Sequence, residues 1–178
     1  KYLNMKKILI FTYVTLISFT AFSQVNIAAA RLMGVGATVT ATGFVTNGDE
    51  LGPIRYIEDA TAGLAIYDLS TNNYLANVVR GDSITITGTL VDYNGLLEMN
   101  PTSSAIIHTS NSIIAPQIVM PLQIGEATES ELIQIDNVLF NNGGSIFTVG
   151  THDFISNGDP GKIYIKSGSP LENMMIPM

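Results

Sequence analysis

The segment Ser83-Ile84-Thr85-Ile86-Thr87-Gly88-Thr89-Leu90-Val91 sets the hardest constraint on what this chain can fold into. Threonines fill one phase of a two-residue period, and Ile84, Ile86 and Leu90 fill the other. Successive side chains of a strand point to opposite faces, so this pattern predicts a strand with one polar and one buried face. Tyr93-Asn94-Gly95 then predicts a tight hairpin turn. Leu96-Leu97-Glu98-Met99 is the return strand, and Pro101 stops it. The same period governs Thr38-Val39-Thr40-Ala41-Thr42-Gly43-Phe44-Val45-Thr46.

Between these lie two more runs, Ile54-Arg55-Tyr56-Ile57-Glu58 and Leu64-Ala65-Ile66-Tyr67. They read as a strand pair across Asp59-Ala60-Thr61-Ala62-Gly63, with Gly63 expected to supply the positive φ that closes the turn. Asn72 to Val79 carries Tyr74, Leu75, Val78 and Val79 at helical spacing, which predicts one or two helical turns or a packed loop. Five short strands with an irregular segment between the third and fourth are the plan of an OB-fold, a partly open five-stranded Greek-key barrel. Gly43 and Gly88 fit the sharp coiling of such a barrel. The fold class is therefore all-β, with the OB-fold domain over 31–105.

A second strand set follows a connector over 106–129, which holds Pro116 and Pro121. Glu131 to Phe140 reads as one strand, Asn142-Gly143-Gly144 as a turn and Ile146 to Val149 as the next strand. An internal echo supports a repeat. Tyr56-Ile57-Glu58-Asp59-Ala60-Thr61-Ala62-Gly63 aligns with Phe154-Ile155-Ser156-Asn157-Gly158-Asp159-Pro160-Gly161, each an aromatic–Ile pair, a polar turn and a glycine. Residues 130–178 are expected to form a second, truncated OB-like β module without its fourth and fifth strands. The chain is accordingly expected to be the N-terminal fragment of a longer protein.

Residues 1–23 read as an N-terminal signal peptide, with Lys1 to Asn4 upstream of the start at Met5. Lys6 and Lys7 precede an apolar run over 8–22, and Ala21 and Ser23 occupy the small positions of a cleavage site. The run is short for a membrane anchor, which needs about 20 apolar residues. Cleavage near Ser23-Gln24 predicts a secreted or cell-surface protein. Of 178 residues, 46% are hydrophobic and 13% charged, which excludes a disordered chain. The formal charge is −7, from 15 acidic and 8 basic side chains. Residues 1–23 contain three lysines and no acid, so the remainder stands at −10. That balance disfavours a surface that tracks phosphates. No cysteine is present, so neither disulfide nor thiolate metal site can form.

Three segments carry a family resemblance: Thr38 to Thr46, Tyr56 to Tyr67, and Arg80-Gly81-Asp82-Ser83-Ile84-Thr85-Ile86-Thr87-Gly88. The pattern resembles OB-fold modules of secreted bacterial proteins, among them the OB module of YhcR-type extracellular nucleases and domains of unknown function in Bacteroidetes surface proteins. The segment ending Phe22-Ser23-Gln24 is similar to signal peptides of that phylum. The resemblance covers 31–105 well and 130–178 more loosely. It implies the fold rather than one activity, since such modules accompany nucleases, phosphoesterases and adhesins, often ahead of a sorting domain.

Candidate chemistry is sparse. Gly81-Asp82-Ser83 is similar to the Gly-Asp-Ser block of an esterase family, but it reads as a turn into the fourth strand with no Gly-x-Ser-x-Gly elbow. His108 and His152 each read as a solvated loop histidine without a second histidine at ligand spacing. Asp49-Glu50 and Glu58-Asp59 read as an acidic edge without EF-hand spacing, and Asn157 to Gly161 reads as a turn in preference to a calcium loop. No catalytic residue, metal or cofactor is assigned. If Ile57, Leu64 and Ile66 point inward, then Tyr56, Glu58, Ala65 and Tyr67 face outward on the surface where OB-folds take ligands. The candidate ligand-binding residues are Tyr56, Tyr67, Arg55, Tyr93 and Asn94. The expected partners are an oligosaccharide or single-stranded nucleic acid, bound weakly, and neighbouring domains of the same chain. The expected function is a non-catalytic binding or spacer module. Coverage of both Tyr56 and Tyr67 by 102–125 would favour the spacer. The alternative is the accessory, nucleic-acid-binding region of an extracellular nuclease or phosphoesterase whose catalytic domain lies beyond residue 178.

Overall fold

A computed structural model describes residues 24–178. The expected signal peptide lies outside these residues. The described chain is all-β, with one six-residue helix, α1 (Ile27–Leu32). Five strands close a barrel: β1 (Thr38–Val45), β2 (Ile54–Glu58), β3 (Gly63–Tyr67), β4 (Ser83–Tyr93) and β5 (Leu96–Pro101). They run in the order β1-β2-β3-β5-β4, and β4 returns to β1. Only β3 and β5 pair in parallel within this barrel. The order and the single parallel pair make it an OB-fold. A further strand, β6 (Ile106–Thr109), adds to β4 and carries the sheet past residue 105.

The two-residue period places the core. Val39, Ala41 and Val45 of β1, Ile57 of β2, Leu64 and Ile66 of β3, and Ile84, Ile86 and Leu90 of β4 are all buried. Threonines take the opposite face. Thr38, Thr40 and Thr42 stand directly across from Thr89, Thr87 and Thr85. Their hydroxyls pair across the strands, at 2.7 Å between Thr40 and Thr87. Such cross-strand pairs add to the register that the buried face sets. Gly43 and Gly88 sit where the sheet coils tightest. A Cβ on Gly88 would lie 2.4 Å from the Asn100 carbonyl oxygen, and one on Gly43 would lie 2.9 Å from that of Glu58. The β4–β5 turn uses Asn94 and Gly95 at φ 54° and 92°, as a two-residue turn with both centres left-handed requires.

Several features refine or differ from the sequence expectations. Gly63 does not close a turn through positive φ; it stands inside β3, where the backbone of Ser130 and Glu131 presses against it. A Cβ there would lie 2.3 Å from the Ser130 carbonyl carbon. The segment Asn72 to Val79 takes the packed-loop alternative rather than the helical one: it forms turns and sends Leu75 and Val78 into the barrel core. Helix α1 precedes the barrel and adds Ile27 and Ala30 to that core. The span Glu131 to Phe140 is two strands, β8 (Ile133–Gln134) and β9 (Val138–Phe140), because Asn137 turns left-handed between them at φ 54°.

Beyond the barrel, β7 (Gln117–Ile118) pairs in parallel with β8. Strand β9 then pairs with β10 (Gly150–Ser156), and β10 with β11 (Asp159–Ile165). This antiparallel meander repeats the order of β1-β2-β3. The β10–β11 turn is only Asn157-Gly158, so Asp159, Pro160 and Gly161 lie in the strand. Pro160 is tolerated because β11 is an edge. Gly161 pairs with Phe154, whose ring fills the space a Cβ would take. Phe147, Ile165 and Ile176 form a second core with Phe140 and Ile163. Ile146 to Val149 is not a strand of its own. Ile146 bridges Met175, and residues 144–147 exchange backbone hydrogen bonds with 173–176. His152 is likewise no solvated loop residue: it lies buried in β10, with Nε2 2.8 Å from the Thr148 carbonyl and the ring edge-on to Phe147.

Candidate ligand groove

One row of side chains crosses the outer face of the barrel. Tyr56 of β2 pairs with Ala65 of β3, Ala65 with Glu98 of β5, and Glu98 with Val91 of β4. Ala65 faces outward and is nevertheless fully buried. It is the smallest member of the row, and it is covered and does not itself line the groove. Tyr67 stands one step along β3, paired with Ile54. The result is an open groove of about 340 Å³ lined by Tyr56, Tyr67, Tyr93, Leu96, Glu98 and Lys166, with Leu51, Pro53 and Ile54 at one end. The β1–β2 connection and the β4–β5 turn thus flank it, as they do in OB-fold ligand sites.

The structure brings together Tyr56, Tyr67 and Tyr93 of the expected site residues. Tyr93 is 63% exposed, while Tyr56 and Tyr67 are half-buried with one side open to the groove. Asn94 shapes the neighbouring turn and does not line the groove. Arg55 does not face it at all. Its period points the other way, and its guanidinium donates to the carbonyls of Gly52, Ile54 and Val78. Those bonds make Arg55 a brace between the β1–β2 and β3–β4 connections.

Two residues enter that the sequence did not single out. Glu98 is only 5% exposed and lines the groove. Its carboxylate has no hydrogen bond or ion pair among the described residues, and burial holds its pKa above the ordinary carboxylate range. Burial also raises the Tyr56 hydroxyl, with help from the charges of Glu98 and Glu129. Lys166 arrives from the end of β11 and donates its ammonium to the Leu51 carbonyl at 2.6 Å. A charge inside the apolar stretch Leu96 to Met99 was a visible signal for Glu98. No periodicity could have brought Lys166 across 115 residues of chain.

Other candidate groups are committed elsewhere. Glu58 accepts from the Leu132 amide at 2.7 Å, and Asp59 accepts from Ile27, Thr61 and Ala62. Asp82 is buried and accepts from the Val79 amide, and Ser83 begins β4. His108 bonds to Thr85 at 2.7 Å. Among the described residues no cluster of three His, Asp or Glu could hold a metal ion, and no helix is long and apolar enough to cross a membrane.

The chain matches no protein-family model and no curated protein at a significant level. Among solved structures it is similar to the hypothetical protein ygiW from E. coli, at 15% identity and a TM-score of 0.40, over 48% of this chain and 90% of that one. A protein assigned as an aspartyl-tRNA synthetase from Leishmania major Friedlin is similar at 11% identity and a TM-score of 0.42, over 58% of this chain and 24% of that one. Neither likeness adds to the fold assignment, which rests on strand order and pairing.

Proposed function

We propose that this chain is a secreted, non-catalytic OB-fold binding module of the kind carried by Bacteroidetes surface proteins. Its ligand presents a flat ring face to the groove between the β1–β2 connection and the β4–β5 turn. One observation carries the reading: three tyrosines from three different strands line a single open groove on the outer face. Aromatic faces stack on sugar rings and on bases alike, and truncating such a platform costs about 1–3 kcal/mol per stacked base. The export assignment rests on the lysine pair and apolar run of residues 6–22.

Binding is favoured over a spacer role by what covers this face and what does not. Residues 126–132, rather than 102–125, pack over its Glu58–Gly63 end. Tyr56 and Tyr67 still border the open groove.

The chain has 7 tyrosines and no tryptophan; Tyr2 and Tyr13 fall in the expected signal peptide, and Tyr56, Tyr67 and Tyr93 are three of the five that remain, so tyrosine fluorescence reports on the groove. Titration of the whole exported chain with a neutral hexose oligosaccharide and with a thymidine oligonucleotide should perturb that fluorescence for at least one. Tyr56→Ala combined with Tyr67→Ala should reduce that affinity tenfold or more, on the order of the stacking energy above. Unchanged affinity in a double variant that melts like the parent, or no response to either probe, would sink the proposal.

A further inference from the structure

We propose that Glu98 and Lys166 form a two-pole reader for a neutral hexose ring seated against Tyr56, Tyr67 and Tyr93, so that the β9–β11 unit supplies part of the binding site. This rests on the reading of the groove as a ligand site and narrows it to one chemical class.

The first observation is the unpartnered carboxylate. Glu98 has no protein partner among the described residues, but its carboxylate oxygens keep contact with solvent at the groove, so a ligand that donates to them takes the place of water. Glu98 lines the groove together with Tyr56, Tyr67 and Tyr93. Sugar hydroxyls are suitable donors. A phosphate or sulfate is not, because it would place anion against anion in a chain already at −7.

The second observation is the opposite charge across the same groove. Lys166 lines it and holds its ammonium at the Leu51 rim, with no ion pair to Glu98. An ammonium has three donors, and the Leu51 carbonyl takes one of them. A cationic ligand attracted to Glu98 would meet Lys166, and an anionic ligand attracted to Lys166 would meet Glu98. A neutral ring with several hydroxyls satisfies both, since each hydroxyl can donate and accept. The tyrosines supply apolar faces for the ring's C–H edges. The volume, about 340 Å³, lies at the small end of ligand pockets, which range over roughly 300–1,000 Å³ and here suit a single ring.

The test uses the whole exported chain and three probes: a neutral hexose oligosaccharide panel (maltohexaose, cellohexaose, laminarihexaose), a sulfated oligosaccharide and a thymidine oligonucleotide. Calorimetry gives affinity, and thermal melts confirm folding of each variant. A neutral member should bind, with Glu98→Ala and Lys166→Ala each weakening it about tenfold or more, the loss expected for a hydrogen bond to a charged group. Glu98→Gln should lose less, since its amide still accepts, and Lys166→Arg should restore most of the affinity. A neutral sugar that binds equally well to Glu98→Ala and Lys166→Ala overturns the inference and leaves the groove reading standing. So does a sulfated sugar or oligonucleotide that binds better than any neutral one and is lost in the tyrosine double variant. If no probe binds and tyrosine fluorescence does not move, both the inference and the groove reading fail.

Discussion

Glu98 shows what burial does to a single side chain that ought to be in water. Its carboxyl is held above the ordinary range by desolvation alone. The folded chain therefore keeps a proton at pH values where the unfolded chain has released it. Its contribution to stability is greatest below the ordinary glutamate range and falls as pH rises through the folded-state value. Glu98→Gln removes that penalty without changing shape. The variant should melt with the parent in acid and above it at neutral pH, the gap opening with pH, as thermal melts across that window would show. A constant gap would mean that the carboxylate is already satisfied. The outward phase of Tyr56 and Tyr67 was legible because Ile57, Leu64 and Ile66 fixed the inward one. Arg55 carries the opposite lesson: it shares the inward phase of Ile57 in β2, which sends it to the other face, away from the tyrosines.

Elements were legible where the local code is self-contained. Period two fixed β1, β2, β3 and β4, and Asn94-Gly95 fixed the hairpin. It failed where partners lie far off in sequence. Asp136-Asn137 is a turn signal, but the apolar alternation on either side of it read as one strand. Helix α1 had its signal too, an asparagine ahead of Ile27 and glycine after Met33, but six residues are too few for a helix that stands alone. Two side chains hold its first turn. Asn26 accepts from the Ala29 amide and Asp59 from the Ile27 amide, each at 2.8 Å. Asn26→Ala should cost about 1 kcal/mol, the usual loss of an N-cap. Asp59→Ala should cost more, since the same carboxylate also organises Thr61 and Ala62. Burial alone would push the Asp59 carboxyl up, but these hydrogen bonds together hold it below the usual range. Its support is therefore present above the ordinary aspartate range and lost as pH falls through the folded-state value. Protection of the Ile27 and Ala29 amides, relative to their intrinsic exchange rates, should fall in both variants, and in acid for the parent. Unchanged exchange in Asp59→Ala would remove it as a cap.

At the scale of the molecule, the barrel is joined to the 126–132 segment and, through Lys166, to the β9–β11 unit by a few directional contacts. Gly63 admits the Ser130–Glu131 backbone, Glu58 holds the Leu132 amide, and Lys166 reaches Leu51. Arg31 of α1 gathers the rest: it donates to the Gly63 carbonyl at 3.0 Å, to Glu129 at 2.8 Å and to Glu126 at 2.6 Å. None of this was visible in the sequence, because each contact joins residues about 30 to 115 positions apart. The two ion pairs are unequal despite their similar lengths. The Glu126 side chain is 81% exposed, and water screens it; Glu129 is 19% exposed and shares its burial with Arg31. Arg31→Ala and Glu129→Ala should therefore loosen the 126–132 segment to a similar degree, and Glu126→Ala much less. The readout is proteolysis of that segment together with exchange at the Leu132 amide, while Ile84 and Ile86 in β4 stay protected. Equal effects from Glu126 and Glu129, or loss of protection in β4, would show that Arg31 braces the barrel itself rather than the joint. Since Lys166 hangs from the far side of that joint, Arg31→Ala should also weaken ligand binding without altering any residue that lines the groove.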